Sequence, residues 1–73
     1  MAEKTYKKIA IVGISTESVS QAIENAIAKA AETVRNIDWF EVVETRGAVR
    51  EGRIAEYLVT LKVGFRLEQS RGK

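Results

Sequence analysis

The 73-residue chain contains no cysteine, no histidine and no proline. Without cysteine there is neither a disulfide framework nor a thiolate nucleophile, and without histidine as well a structural zinc site is effectively excluded. The apolar runs are only a few residues long, so we expect no membrane span. The opening residues, MAEKTYKK, carry no apolar segment after their lysines, so we expect no signal peptide. These absences predict a cytoplasmic protein, and the lack of a nucleophile–base constellation predicts that it is not an enzyme.

The composition is that of an ordinary folded protein, with 45% hydrophobic and 30% charged residues. We expect one domain over residues 1–73, with a frayed tail over about residues 70–73. A net charge of +2 is too small to indicate nucleic acid as a partner. Single cores in chains below about 70–80 residues rarely supply more than about 3–5 kcal/mol. Because disulfides and zinc are excluded, oligomerisation is the expected source of additional stability.

Hydrophobic periodicity predicts an α+β subunit with the order β-α-β-β. Apolar residues at i, i+3, i+4 and i+7 predict an amphipathic helix over about Glu17–Asn36, with Ser15 or Thr16 as its N-cap. Gly13 is expected to end the first strand. The strands are predicted over Lys4–Val12, Trp39–Val49 and Arg53–Glu68, with a turn at Arg50–Gly52. A right-handed crossover makes the first two strands parallel and places the third strand between them.

The neighbours Trp39 and Phe40 must point to opposite faces of their strand. In simple alternation Phe40 and Val42 share one face, whereas Trp39, Glu41, Val43 and Thr45 share the other. One helix covers one face of the sheet, so the second face is left with part of this set together with Ile54 and Leu58. An apolar patch of that kind predicts an interface or a ligand site.

Four motifs resemble those of bacterial dodecins over about residues 4–70. They are YKKIAIVGIST (Tyr6–Thr16), DWFEV (Asp38–Val42), TRG (Thr45–Gly47) and VGFRLE (Val63–Glu68). The resemblance implies a subunit of a hollow homododecamer that binds flavins in stacked pairs between tryptophans of symmetry-related subunits. Trp39 stands at the position of that tryptophan, and Phe40 would then pack inward under the helix.

The resemblance also implies the remaining site residues. Leu58 stands where the family commonly has a glutamine that hydrogen-bonds the polar edge of the flavin, so its contact would be apolar only. Arg46 and Arg66 match arginines near the ligand, and they would bind a flavin carbonyl or a phosphate unless they serve as ordinary salt-bridge formers. Lys4, Lys7 and Lys8 are further candidates for a phosphate. No metal site is predicted.

The expected function is therefore flavin storage or sequestration and photoprotection, with riboflavin or FMN as the ligand and a lumichrome-like flavin as a further option. An indole stacked on the flavin ring gains contact area and can donate an electron to the excited flavin, which quenches it. The alternative is a structural or coenzyme A-carrying oligomer whose flavin pocket is altered by Leu58. Nucleic acid and membrane are not expected as partners.

Overall fold

The computed structural model describes residues 3–68, so the predicted frayed tail lies outside the described residues. The chain forms strand β1 (Tyr6–Ser15), helix α1 (Val19–Ala30), strand β2 (Ile37–Arg50) and strand β3 (Arg53–Arg66). The sheet order is β1-β3-β2, and both outer strands are antiparallel to β3. The predicted topology is confirmed, including the parallel relation of β1 and β2. That all of residues 1–73 form one domain stays a prediction.

Strand β1 passes through Gly13 and ends at Ser15, so the prediction that Gly13 breaks the strand was wrong. A Cβ atom at this position would overlap the carbonyl oxygen of Ala22 and the Cβ atom of Ala26. The glycine therefore serves close packing of the helix on the strand. This close approach explains why α1 has small residues on the face that it buries.

Helix α1 begins and ends inside its predicted bounds. Its N-cap is Ser18, not Ser15 or Thr16: Ser18 is extended, and its side chain accepts a hydrogen bond from the Gln21 backbone N–H at 3.0 Å. At the other end the chain leaves the helix through turns and reaches Asn36, which has a left-handed backbone with φ 66°. Asn36 accepts a bond from the Arg66 N–H at 3.1 Å and donates its side-chain amide to the Arg66 carbonyl at 3.2 Å. These bonds fix the connection to β2, so the helical pattern cannot continue.

The hairpin between β2 and β3 turns at two residues with positive φ, Glu51 (53°) and Gly52 (76°). Two such residues are typical of a type I′ turn, which matches the twist of the flanking strands. The predicted turn at Arg50–Gly52 is therefore confirmed. Arg50 and Arg53 face each other as the last pair of the ladder.

The core lies between α1 and the central strand. Its fully or almost fully buried members are Ala22 and Ala26 of the helix and Val59, Leu61 and Val63 of β3. The strict alternation of β3 thus packs its odd-numbered face on the helix, as the sequence predicts. Among the described residues, no helix is long and apolar enough to cross a membrane.

The monomer is elongated, and much of its apolar surface is uncovered. Its radius of gyration is 15.6 Å, against about 11 Å for a compact domain of this length. The helix packs on β1 and β3. Phe40 and Val42 lie on the helix side of β2 but are 45% and 46% exposed. Phe40 therefore faces the predicted side of the sheet, but the prediction that it packs under the helix was wrong within this monomer.

Candidate functional site

The face of the sheet that turns away from the helix, called here the open face, carries the candidate residues. Directly paired residues of neighbouring strands share a face, so the ladder assigns each position. Trp39 pairs with Gly64 and Glu41 with Lys62, and both pairs lie on the open face, opposite to the buried Val63. The prediction that Trp39 faces away from the helix is consistent with this register.

Three register shifts interrupt the β2–β3 ladder, and the two that lie beyond Val42 change the faces that simple alternation predicts for the candidate residues. Between Val42 and Glu44 the register shifts by one residue, so Glu44 and Arg46 lie on the open face and Thr45 on the helix side. The expectation that Thr45 shares a face with Trp39 was wrong for this reason. A second shift pairs Ile54 with Val49.

The second shift separates Ile54 from Leu58. Ala48 pairs with Glu56 on the open face, and the next residue, Val49, pairs with Ile54 on the other face. The predicted apolar patch therefore keeps Leu58 but loses Ile54, which joins Val49 near the hairpin tip. Val12 and Ile14 of β1, which pair with Thr60 and Leu58, supply exposed apolar surface on the open face instead.

Trp39 lies flat on the backbone of Gly64. A Cβ atom at position 64 would overlap three atoms of the six-membered indole ring. The inner side of the ring rests on this glycine, and the residue as a whole remains 39% exposed. The arrangement presents an aromatic surface to any planar ligand that approaches the open face.

Tyr6 holds the edge of the indole. The two ring centroids are 5.1 Å apart, and the planes are inclined at 52°, within the range of favourable aromatic pairs. The Tyr6 hydroxyl donates a hydrogen bond of 2.9 Å to Oδ2 of Asp38, and this bond raises the pKa of Tyr6. Tyr6 and Gly64 were not predicted as site residues. A glycine in a strand whose opposite residue is aromatic is the sequence signal that indicates such a close approach.

An ion pair flanks the indole on the other side. Lys8 donates to both carboxylate oxygens of Glu41, at 3.1 and 2.9 Å, and both side chains are about half-exposed. Lys8 holds the pKa of Glu41 below its ordinary value, and the Trp39 indole N–H and Lys62 act in the same direction. Lys8 therefore already has an ion-pair partner. Lys7 lies opposite Phe65 in the strand register and so is on the helix side of the sheet.

The four predicted site residues fall into two groups on the sheet. Trp39 is next to Arg66, because Gly64 and Arg66 are successive open-face residues of β3. Arg46 pairs with Leu58, and its Nε lies 2.8 Å from Oε2 of Glu44. Positions 58 and 64 are six residues apart on one strand, or roughly 20 Å. One chain therefore does not bring all four residues into a single pocket.

Within residues 3–68, no group of acidic side chains is arranged to hold a metal ion. The indole of Trp39 on Gly64, called here the ring platform, is the feature to compare with the shape and chemistry of a flavin. A planar, electron-poor ring system fits the outer indole face, and the arginines provide donors for carbonyl or phosphate oxygens. Leu58 provides apolar contact but no hydrogen bond.

Comparison with known proteins identifies the family. The dodecin family model matches residues 5–68, which is most of the chain. The chain belongs to the dodecin family. Dodecins are oligomeric proteins that generally bind flavins, and they are not a known enzyme family.

Relatives of this dodecin agree in sequence and in structure. The curated dodecin of Thermus thermophilus is 51% identical over 67 residues, covering 92% of this chain and 97% of its own. The solved dodecin from Streptomyces davaonensis is 53% identical with a TM-score of 0.89, covering 93% of this chain and 100% of its own. Solved variants of the T. thermophilus dodecin replace a tryptophan by phenylalanine or an arginine by alanine, and their TM-scores are 0.88 to 0.89.

A more distant relative bears on metal binding. The solved calcium dodecin of Mycobacterium tuberculosis, described as having a novel calcium-binding site, is 34% identical with a TM-score of 0.76, covering 94% of this chain and 99% of its own. In the part of the present chain that the structure describes, no group of three or more acidic side chains could hold a metal ion.

Proposed function

We propose that this dodecin binds riboflavin or FMN for storage and photoprotection, with the ligand ring stacked on the outer face of Trp39. The observation that carries the proposal is the indole lying flat on Gly64 of the open face, in a residue that remains 39% exposed. An indole that rests on backbone and is flanked by Tyr6 loses little freedom when a ligand stacks on it. Stacked aromatic pairs contribute roughly 0.5–1.5 kcal/mol beyond the burial of area.

A second copy of the chain must complete the site. Trp39 with Arg66 and Leu58 with Arg46 are roughly 20 Å apart on one strand, farther than a flavin ring system extends. A ligand on Trp39 therefore meets Leu58 or Arg46 only where these belong to a neighbouring subunit. The elongated monomer and its exposed strand residues support the proposed homododecamer, because such surface is typical of subunits that bury it on assembly.

The arginines are proposed to bind the polar part of the ligand. Arg66 is the next open-face residue after Gly64 on β3, and this position supports a role for its guanidinium as a donor to a flavin carbonyl or a phosphate. Arg46 has to exchange its contact with Glu44 for such a bond, or to keep it and act structurally. The solved variants of the T. thermophilus dodecin replace the same residue types at positions numbered one lower than Trp39, Arg46 and Arg66.

When it is bound, the flavin supplies light absorption and redox chemistry. Trp39 would stack on the flavin ring and donate an electron to the excited flavin. The excited state would then be quenched while the flavin stays bound to the protein. The protein's contribution is to hold the indole in contact and to exclude water from the ring. This combination is what makes shielding of a light-sensitive ligand the favoured role.

A riboflavin titration followed by flavin fluorescence tests the proposal. We expect saturable quenching near one flavin per chain, loss of tight binding in Trp39→Ala, and partial retention in Trp39→Phe, which keeps a stacking ring. Size-exclusion chromatography of each variant serves as the control for assembly. Unchanged affinity in Trp39→Ala with the oligomer intact would contradict the proposed stacking.

Leu58 favours one alternative, an oligomer that carries coenzyme A or serves a structural role, because leucine leaves the polar edge of a flavin without a partner. Leu58→Gln separates the two functions. In the flavin-binding protein it should strengthen riboflavin binding by about 0.5–1.5 kcal/mol, or roughly 2- to 12-fold. A large oligomer that quenches no riboflavin by itself but does quench it as Leu58→Gln would favour the alternative, and no gain from the substitution would count against a pocket altered by Leu58.

A further inference from the structure

The hydrogen bond of Tyr6 beside the proposed site is not required for flavin stacking. Tyr6 makes ring contact with Trp39 at 5.1 Å and at the same time hydrogen-bonds the Asp38 carboxylate at 2.9 Å. The Tyr6 phenol is thus in contact with two groups. The Trp39 indole can accept an electron from it once the indole has been oxidised, and the Asp38 carboxylate can accept its proton. The chain has a single tryptophan and two tyrosines, so the partners in this contact are unambiguous.

The hydrogen bond to Asp38 is what makes Tyr6 a competent donor. An oxidised phenol is a very strong acid, so a tyrosine loses an electron readily only when its proton has somewhere to go. Oδ2 of Asp38 accepts the Tyr6 hydroxyl hydrogen in the resting structure, so the proton has only to shift along an existing bond. The same hydrogen bond raises the pKa of Tyr6, in keeping with a phenol that keeps its proton in the resting protein.

We propose that Tyr6 re-reduces Trp39 after the indole has given up an electron, passing the phenolic proton to Asp38. One electron moves from Tyr6 to the indole radical cation, and one proton moves from the Tyr6 hydroxyl to Oδ2 of Asp38. The products are neutral indole, a neutral tyrosyl radical and a protonated carboxyl group, so charge and atoms balance. If the indole has already lost its N–H proton, the same electron moves, and water returns a proton to the indole nitrogen. The inference rests on the proposed function for its natural oxidant, which is a photoexcited flavin on Trp39.

Tyr57 is the matched comparison within the chain. It pairs with Gly47 of β2 and Ser15 of β1 on the helix side of the sheet. Position 57 is seven residues from position 64, so it lies roughly 23 Å along the strand from the indole platform. Within one chain, Tyr57 is therefore a poor donor to Trp39, and its replacement should leave the transfer intact.

Pulse radiolysis of the ligand-free protein with azidyl radicals tests the pair, because this oxidant attacks indole selectively. We expect the indole radical absorption to decay as the tyrosyl absorption grows, in a first-order phase whose rate does not depend on protein concentration. Tyr6→Phe should abolish this phase while Tyr57→Phe keeps it, and Asp38→Asn should slow it because the amide accepts the hydrogen bond but not the proton.

The radical-transfer kinetics and the riboflavin titration test this inference and flavin binding separately. Persistence of the first-order phase in Tyr6→Phe, or its loss in Tyr57→Phe, would overturn the assignment of Tyr6. Trp39 fluorescence in Tyr6→Phe and Asp38→Asn checks that the indole has stayed in place. An intact radical transfer in a protein that fails to bind riboflavin would overturn the proposed function and leave the donor pair standing.

Discussion

Gly64 makes the strongest prediction about the site, because the flat indole depends on the absence of one carbon atom. A Cβ at this position would lie inside the 3.0 Å below which real Cβ atoms essentially never approach a neighbour, and it would do so against three atoms of the Trp39 ring. Gly64→Ala therefore has to lift the indole off the sheet. The change leaves Trp39 and both arginines in the sequence, so it tests the geometry of the site and not its composition.

The expected loss follows from the displaced ring. Forcing extra methyl volume into a packed contact costs about 1–3 kcal/mol, and a ligand that needs the ring in its original place must overcome this cost. Riboflavin affinity should accordingly fall by roughly 5- to 140-fold. The near-ultraviolet circular dichroism that arises from the Tyr6–Trp39 contact should change as well, without ligand.

Gly47→Ala is the matched control for this experiment. Gly47 is also a strand glycine, but a Cβ there meets just the Glu56 carbonyl oxygen, at an ordinary contact distance of 3.5 Å. Riboflavin titration and size-exclusion chromatography are then compared for the two variants. If Gly64→Ala binds as tightly as the unmodified protein while remaining assembled, the indole does not need its place on the backbone and the proposed platform is wrong.

Three further predictions concern folding. Gly13→Ala should destabilise the protein by more than about 3 kcal/mol in urea unfolding, because the new methyl group meets helix backbone that cannot move aside; a near-normal midpoint would contradict the close packing. Ser18→Ala should cost about 1 kcal/mol by loss of the N-cap, whereas Ser20→Ala inside the same helix should be neutral or slightly stabilising. Glu41→Gln should lower the thermal midpoint at pH 7. The difference in midpoint from the unmodified protein should fade as the pH falls below 4.5 through the depressed pKa of Glu41, because Lys8 then has no charged partner in either protein. A difference in midpoint that does not change with pH would rule out this ion pair as the cause.

The sequence predicted those parts of the fold that depend on one element at a time. The alternation of β3 and the spacing of α1 each contain their own period, so the buried face of each element could be read directly. The turn residues at Glu51 and Gly52 likewise satisfy a local backbone demand. The adjacency of Trp39 and Phe40 predicted that they face opposite sides of the sheet, and the resemblance to dodecins indicated that Trp39 is the one that faces away from the helix.

The sequence did not predict those features that depend on how one helix or strand packs on another. A bulge at Val43 leaves no mark on the alternation of β2, yet it moves Arg46 to the open face. The meaning of Gly13 and Gly64 likewise depends on what packs over them, a helix in one case and an indole in the other. Such features become visible only when the register and the packing of neighbouring elements are known.

Assembly and ligand binding are proposed to be coupled through the same sheet. Trp39 with Arg66 and Leu58 with Arg46 are held about 20 Å apart by the regular rise of β3, so no local rearrangement of one chain brings them together. The core of the monomer is small, so on this proposal contacts between copies would supply part of its stability, and the same contacts would complete the ligand site. A flavin bound in the proposed site would bridge subunits and shift the equilibrium toward the assembled form, because a ligand stabilises the state that binds it. Substitutions that weaken subunit contacts far from Trp39 should therefore weaken riboflavin binding too, although they leave the indole platform unchanged.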